Sequence, residues 1–272
     1  MPAAAYPVRD PALAIPDDVP LAWHRTMPEL AFAANSISLL MPYVEPFIAK
    51  AMRAAVPQLE EPLRTATEEF ARQELSHHVL HRRFNDQLAE QAPAIRRLER
   101  WIRWSYARIT RKRSTAFVIA FAAGSEAGAF AIARWIDRNV AVLFDDADPE
   151  VAALFLWHAA EEVEHKAAAY DVFEATDGGH LRYLAATALS MSMLVCFTFA
   201  GCLVMLRHTR RLHLPVAWWR LTRWAVSLAF TLMPMLATSC LPSHDPRALS
   251  DPSYLVQWLR GIDARRSRPA AG

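Results

Sequence analysis

Two scarcities frame this chain: glycine and cysteine. Only 7 of its 272 residues are Gly, and no Gly-rich loop of the phosphate-cradling kind occurs, which excludes nucleotide recognition by that route. The 3 Cys residues, Cys196, Cys202 and Cys240, lie in apolar surroundings without a Cys-x-x-Cys spacing. Three cannot pair completely, so a disulfide framework is excluded and buried thiols acting as small hydrophobes are expected. A charge excess of one sign is missing too: 30 Lys+Arg against 28 Asp+Glu leave a formal charge of +2. With no basic stripe interleaved with aromatics, nucleic acid is not an expected partner. Strand-like alternation and repeats of solenoid period are absent as well. The first twenty residues, rich in Ala and Pro, lack the basic start and apolar core of a secretion signal. A reducing, cytoplasmic compartment is therefore expected.

What the chain does have is apolar mass and proline. Hydrophobic residues make up 53% and charged residues 21%, enough to bury a substantial core. The 18 Pro residues fall mostly between apolar runs and near the ends, where they punctuate helices. Residues 1–28 read as an irregular arm. Helical patterns follow over Glu29–Val56 (interrupted by Pro42 and Pro46), Glu61–Gln91, Ile95–Arg113 (basic and Trp-bearing), Ser114–Asn139 and Pro149–Thr176. Long helices with modest connections predict an all-α bundle over 29–180. A compositional shift after Gly178–Gly179 marks 181–272 as an apolar helical extension.

The chemistry sits in a few out-of-place polar residues. At 100° per residue, Glu74, His77 and His81 fall within about 60° on one helix face. Glu74 and His77 form Glu-x-x-His, a spacing that gives one metal a carboxylate and an imidazole. Alone such a pair is a chance event on a polar helix. Glu162 and His165 repeat it, however, and His158 stands one turn earlier on the same face; a solvated charged face, with Glu161 and Glu164 pairing to Lys166 or Arg134, suits Glu164 but does not explain that repetition. Glu126 is the only charge between Arg113 and Arg134, in an apolar span of about five turns. An unpaired carboxylate there costs several kcal/mol or more, and metal coordination offsets that better than a lone hydrogen bond. Glu45 is a similar lone acid in an apolar helix, by itself as readily a surface residue as a ligand. The ordered set Glu…Glu-x-x-His…Glu…Glu-x-x-His is the arrangement by which four-helix bundles hold two iron or manganese ions. Oxygen and imidazole donors suit those metals, with zinc a further option.

These residues carry a resemblance. The chain is similar to the bacterial ferritin-like proteins known as predicted metal-dependent hydrolases. Their Pro-x-x-Glu is matched by Pro42–Glu45, and Gln-Glu-x-x-His-x-x-x-His-x-x-x-Asn by Gln73, Glu74, His77, His81 and Asn85. Glu126 matches the acid of the third helix. Trp157, His158, Glu161, Glu162, Glu164, His165 and Lys166 match the fourth, followed by Tyr170–Asp171–Val172–Phe173, while Leu241–Pro246 resembles the family's Pro-Gly-Phe-His-Pro ending. Ala127 stands where the family usually has His. The resemblance implies a ferritin-like four-helix bundle with additional C-terminal apolar helices. It also implies a metal set of Glu45, Glu74, His77, Glu126, His158, Glu162 and His165, with His81 and Glu161 orienting ligands or carrying protons. The extra His158 is similar in spacing to a third histidine in di-iron amine N-oxygenases. The family's description implies hydrolysis through a metal-activated water; such ligand sets also serve O₂ chemistry, in which case a small organic substrate, iron and an external electron donor are expected. A non-catalytic metal-binding helical protein is the third reading.

In the last third, Tyr183–Leu206 and Trp224–Leu241 hold no charged residue, and a basic, Trp-rich segment separates them. The first is long enough to span a bilayer. A spanning hairpin would set the basic loop and the metal domain on opposite sides, against the positive-inside tendency for a domain without a signal. Helices packed on the bundle, forming a homodimer face, or lying on the inner face of the cell membrane are expected instead. An apolar or lipid-like substrate would suit the last.

Overall fold

A computed structural model describes residues 6–9, 13, 15 and 17–266, the side chains of 263–266 excepted. The chain is an all-α bundle with no β-strand among the described residues. Its helices are α1 (Pro28–Ser38), α2 (Met41–Ala55), α3 (Leu63–Gln91), α4 (Ile95–Lys112), α5 (Thr115–Phe144), α6 (Pro149–His165), α7 (Ala168–Thr176), α8 (His180–His208), α9 (Pro215–Ser239) and α10 (Ser253–Arg266).

Local chemistry accounts for most boundaries. The Ser114 hydroxyl caps α5 by accepting from the Phe117 amide, and the Asp148 carboxylate caps α6 by accepting from the Glu150 and Val151 amides, with Pro149 in the first turn. At the end of α7, Gly178 takes a φ of 59° and its amide returns to the Phe173 carbonyl, a left-handed cap that suits Gly. Two boundaries differ from expectation. The first apolar stretch breaks at Leu39–Leu40, ahead of Pro42, which occupies the first turn of α2 where no hydrogen bond is missed. Pro46 does not interrupt the chain; it lies inside α2, and the acceptor it leaves without a partner is at the helix start. The stretch Pro149–Thr176 is two helices, separated at Lys166–Ala167 just after His165. No breaking residue stands there, so the pattern reads as continuous.

α2, α3, α5 and α6 supply the inner layer. α5 is the central element, packed against α2, α6, α7, α8 and α9. It is buried throughout from Val118 to Ala123, as an uncharged, apolar stretch of helix requires. α8 lies across α1 and α5, and α9 across the same two. Tyr183, Met193, Cys202 and Met205 of α8 join the same apolar core as Phe70, Phe84 and Phe121 of the inner layer. The arm is tied in as well: Asp148 donates its amide to the Trp23 carbonyl, and Trp23 Nε1 donates to Asn35 Oδ1 at 2.7 Å.

Candidate metal centre

The seven expected donors converge on one buried spot from four helices: Glu45 from α2, Glu74 and His77 from α3, Glu126 from α5, and His158, Glu162 and His165 from α6. They fall into two lobes. In one, His165 Nδ1 lies 3.1 Å from Glu74 Oε1, 3.6 Å from Glu126 Oε2 and 3.5 Å from Glu162 Oε1. In the other, His158 Nε2 lies 2.9 Å from Glu162 Oε1 and 3.6 Å from Glu45 Oε1, with His77 Nδ1 3.6 Å from the same Glu162 oxygen. Glu162 Oε1 thus stands between the lobes. Ligand atoms at such spacings match the edges of a coordination shell with bonds of roughly 2.1 Å.

Hydrogen bonding shows which atoms are left over. Both oxygens of Glu45, Glu74 Oε1, Glu126 Oε2, His77 Nδ1 and His165 Nδ1 are buried without a hydrogen-bond partner. His165 Nδ1 is near Glu74 but off the line of a hydrogen bond. Buried acceptors without partners cost about 1–3 kcal/mol each, more when charged. That they all face one another is what a cation site requires, and the carboxylate and imidazole donors fit a transition metal.

The outer atoms of the same histidines are clamped. His77 Nε2 meets Glu161 Oε2 at 2.7 Å, and His165 Nε2 meets Gln73 Oε1 at 2.8 Å. Both clamps directly precede the Glu of a Glu-x-x-His, and each crosses to the histidine of the other helix. An imidazole donating from Nε2 keeps the Nδ1 lone pair free for a metal. Glu161 is itself held by Arg9, whose Nη1 donates to Glu161 Oε1 at 3.2 Å and to Glu164 Oε2 at 2.8 Å. Burial raises the Glu161 pKa, but His77 and Arg9 outweigh that and hold it below the ordinary value.

His81 belongs to a separate chain of hydrogen bonds. The Ser38 hydroxyl donates to Asn85 Oδ1 at 2.7 Å, so its oxygen accepts from His81 Nδ1 at 2.8 Å. His81 Nε2 must then accept from His158 Nδ1 at 2.6 Å, which leaves the His158 Nε2 lone pair aimed at Glu162 and Glu45. His81 comes within ligand range of Glu45 and His158, but both its nitrogens are already used, so it orients rather than ligates. Burial first, then the neighbouring His158 and His77, hold His81 well below the ordinary imidazole pKa and keep it neutral.

Electrostatics inside the cage are divided. Burial, with repulsion from neighbouring carboxylates, holds Glu45 and Glu126 well above the ordinary carboxylate value. Glu162 is held well below it: burial opposes, but His165 and His158 prevail. His165 is correspondingly held well above the ordinary imidazole value by Glu162 and Glu74, against its own desolvation. The cage opens on a cavity of about 140 Å³. Its walls are apolar (Ile37, Leu40, Val44, Ile132, Phe155 and Leu194 among them), and Ser125 and Ser190, bonded to each other at 2.7 Å, are polar but satisfied.

The match to known families follows this geometry. Residues 7–249 match the family described as predicted metal-dependent hydrolase. The chain belongs to that family. Neither a curated protein nor a solved structure matches. The match to this family runs past the inner helices to take in Arg9 at one end and α8 and α9 at the other. Sequence reasoning gave no role to Gln73, Ser38, Asn85, Arg9 or Tyr6, whose buried ring lies edge-on to His165. The mirrored position of Gln73 and Glu161, each just before a motif Glu, is a signal that could have found the clamps. For Arg9 no sequence signal exists.

Proposed function

We propose that this chain holds two metal ions, iron by the character of its donors, and uses O₂ to oxidise or oxygenate a small apolar molecule seated in the cavity. The observation that carries the reading is the set of buried, unpartnered ligand atoms, with Glu45 and Glu126 among them bordering an apolar chamber. Two lobes sharing Glu162, with four carboxylates and three imidazoles, suit two divalent ions of the kind bound by four-helix carboxylate bundles; the ferritin-like kinship implied by the motifs belongs with this proposal. Ferrous ions in such a cage supply electrons to O₂, whereas zinc or manganese there would activate water. The protein's own part is to orient and to exclude. Gln73 and Glu161 fix the two motif histidines, His81 fixes His158, and Arg9 neutralises the buried Glu161. The chamber walls keep water out and offer a substrate little beyond apolar contact, which favours attack on an apolar body over recognition of an ester or phosphate. Oxidation on this reading draws on an external electron donor.

Hydrolysis is the second reading, favoured by the family's description. The two separate on metal content and O₂ response. Protein produced with iron and purified without air is expected to carry about two irons per chain and to develop a new absorption band on exposure to O₂. Glu126→Ala and His165→Ala are both expected to lose the metal. Zinc or manganese at the same stoichiometry, with ester or phosphoester turnover and no response to O₂, would move the assignment to hydrolysis. Metal-free protein under all conditions would refute both.

A further inference from the structure

α8 and α9 carry an apolar surface that no other described element covers. On α8 the outward stripe is Leu181, Ala185, Ala188, Ser192, Val195 and Phe199; on α9 it is Trp219, Val226, Phe230 and Met233. Leu181 and Phe230 are about four-fifths exposed, at 80% and 79%. Single exposed hydrophobics are ordinary, but two stripes on helices joined by one short turn, with Phe199 of the first meeting Trp218 of the second at 6.3 Å between ring centroids, are not. The inner faces of both helices are meanwhile committed to α1 and α5, so α8, although long and apolar enough to cross a membrane, is held against the body of the protein.

Charge identifies the occupant. From Gly178 to His244 the chain contains no Asp or Glu, while it contains Arg182, Arg207, Arg210, Arg211, Arg220 and Arg223. Arg211 and Arg220 both donate to the buried Glu29, at 3.1 and 3.2 Å, which pins the basic turn to α1. Arg207 and Arg210 remain exposed at one end of the stripes and Arg223 one turn in from that end, and no carboxylate among the described residues forms an ion pair with them. At 100° per residue, Arg223 shares its face of α9 with Trp219 and Phe230. Trp219 stands beside it, 67% exposed, the amphipathic residue typical of the headgroup level. A second copy of the chain would bring no acid to these arginines, because the face has none. An anionic bilayer supplies both the negative charge and the apolar medium.

We propose that the α8–α9 face is a docking surface for an anionic membrane. The two helices lie in the plane of the interface with Val195, Phe199, Phe230 and Met233 in the acyl boundary and Arg207, Arg210 and Arg223 against the headgroups. Met191 and Leu194, which line the cavity above the metal cage, are on α8 within a turn of the lipid-facing Val195. The chamber therefore lies directly behind the docked helix, where an apolar substrate would arrive from the lipid. The docking itself rests on the surface and is independent of what the metal cage does.

Sedimentation of the full chain with lipid vesicles tests it. Binding is expected to vesicles containing roughly a third phosphatidylglycerol, to be weak with pure phosphatidylcholine, and to fall as salt is raised. Arg207→Gln, Arg210→Gln and Arg223→Gln combined should weaken binding by about a hundredfold, roughly fivefold for each charge removed, with helicity unchanged. Phe199→Asp with Phe230→Asp should abolish binding even at low salt. Equal binding to neutral and anionic vesicles, or none to either, would overturn the proposal. So would a solution dimer that Phe230→Asp breaks while the wild-type chain ignores vesicles.

Discussion

At the scale of single residues, the cage stores protons that a metal must displace. Glu45 and Glu126, both held well above the ordinary carboxylate value, and His165, held well above the ordinary imidazole value, are the cage groups that burial and their neighbours bias toward keeping a proton. Ligation requires these atoms bare, so filling the cage should release protons and tighten as pH rises. The same shifts set the stability of the metal-free fold. A group whose folded pKa is raised contributes stability that is fully present below its unfolded value and is lost as pH climbs through the folded value. All three groups have that sign; Glu162, held low, has the opposite sign and matters only in acid. The metal-free protein should therefore lose thermal stability as pH rises above about 4.3, the unfolded carboxylate value, with His165 adding to the loss above about 6.5, and Glu126→Gln should flatten the slope. Bound metal should remove most of it. Calorimetry of the metal-free form across that range, with a pH-stat measurement of protons released on metal addition, decides the matter. A flat or rising stability curve would count against the assigned proton positions.

At the scale of elements, the face of α5 turned to α8 is made of close approaches. A Cβ on Gly124 would meet the Thr187 Cα at 2.8 Å, which is backbone and cannot turn aside. A Cβ on Gly128 would meet only the end of Met191, its Cε at 2.6 Å, which can swing away. Gly124→Ala should cost about 1–3 kcal/mol of stability even after the gain in helix propensity. Gly128→Ala should be close to neutral in stability but should narrow the cavity that Met191 lines. Denaturant unfolding of the two variants gives the comparison; equal costs would mean that α5 and α8 are not held at this distance. The same elements explain what was legible in the sequence. Glu126 was conspicuous because it interrupts an uncharged helix, and the two Glu-x-x-His pairs because helical periodicity puts their members on one face. Those signals are local, and the all-α fold and the convergence of seven donors could be read from them. The clamps are not local. Ser38, Gln73 and Asn85 look like ordinary polar helix residues until the neighbouring helix is in place. Pro46 misled because a proline's cost depends on which carbonyl loses its partner.

At the scale of the whole molecule, the composition divides at Gly178 but the packing does not. The central helix α5 is enclosed by α2, α6 and α7 from one part of the chain and by α8 and α9 from the other. The cavity takes Ser190, Met191 and Leu194 from α8 and shares them with the metal cage. Arg9, near the start of the chain, sets the charge around Glu161, and Lys166 at the end of α6 donates to the Leu249 carbonyl. Removing residues 179–272 would strip the cover from α5 and open the chamber on one whole side, exposing a largely apolar helix more than a dozen residues of which are otherwise buried. Exposed apolar area on that scale costs roughly 25 cal/mol per Å², far beyond the few kcal/mol by which domains are stable. The truncated chain is therefore expected to aggregate or to lack cooperative unfolding, and to lose its metal although it keeps all seven donors and both clamps. Size-exclusion chromatography and metal analysis of the truncated and full-length chains make the comparison. A monodisperse, metal-loaded fragment would instead establish the inner helices as a unit that folds alone, with α8 and α9 serving the surface and not the core.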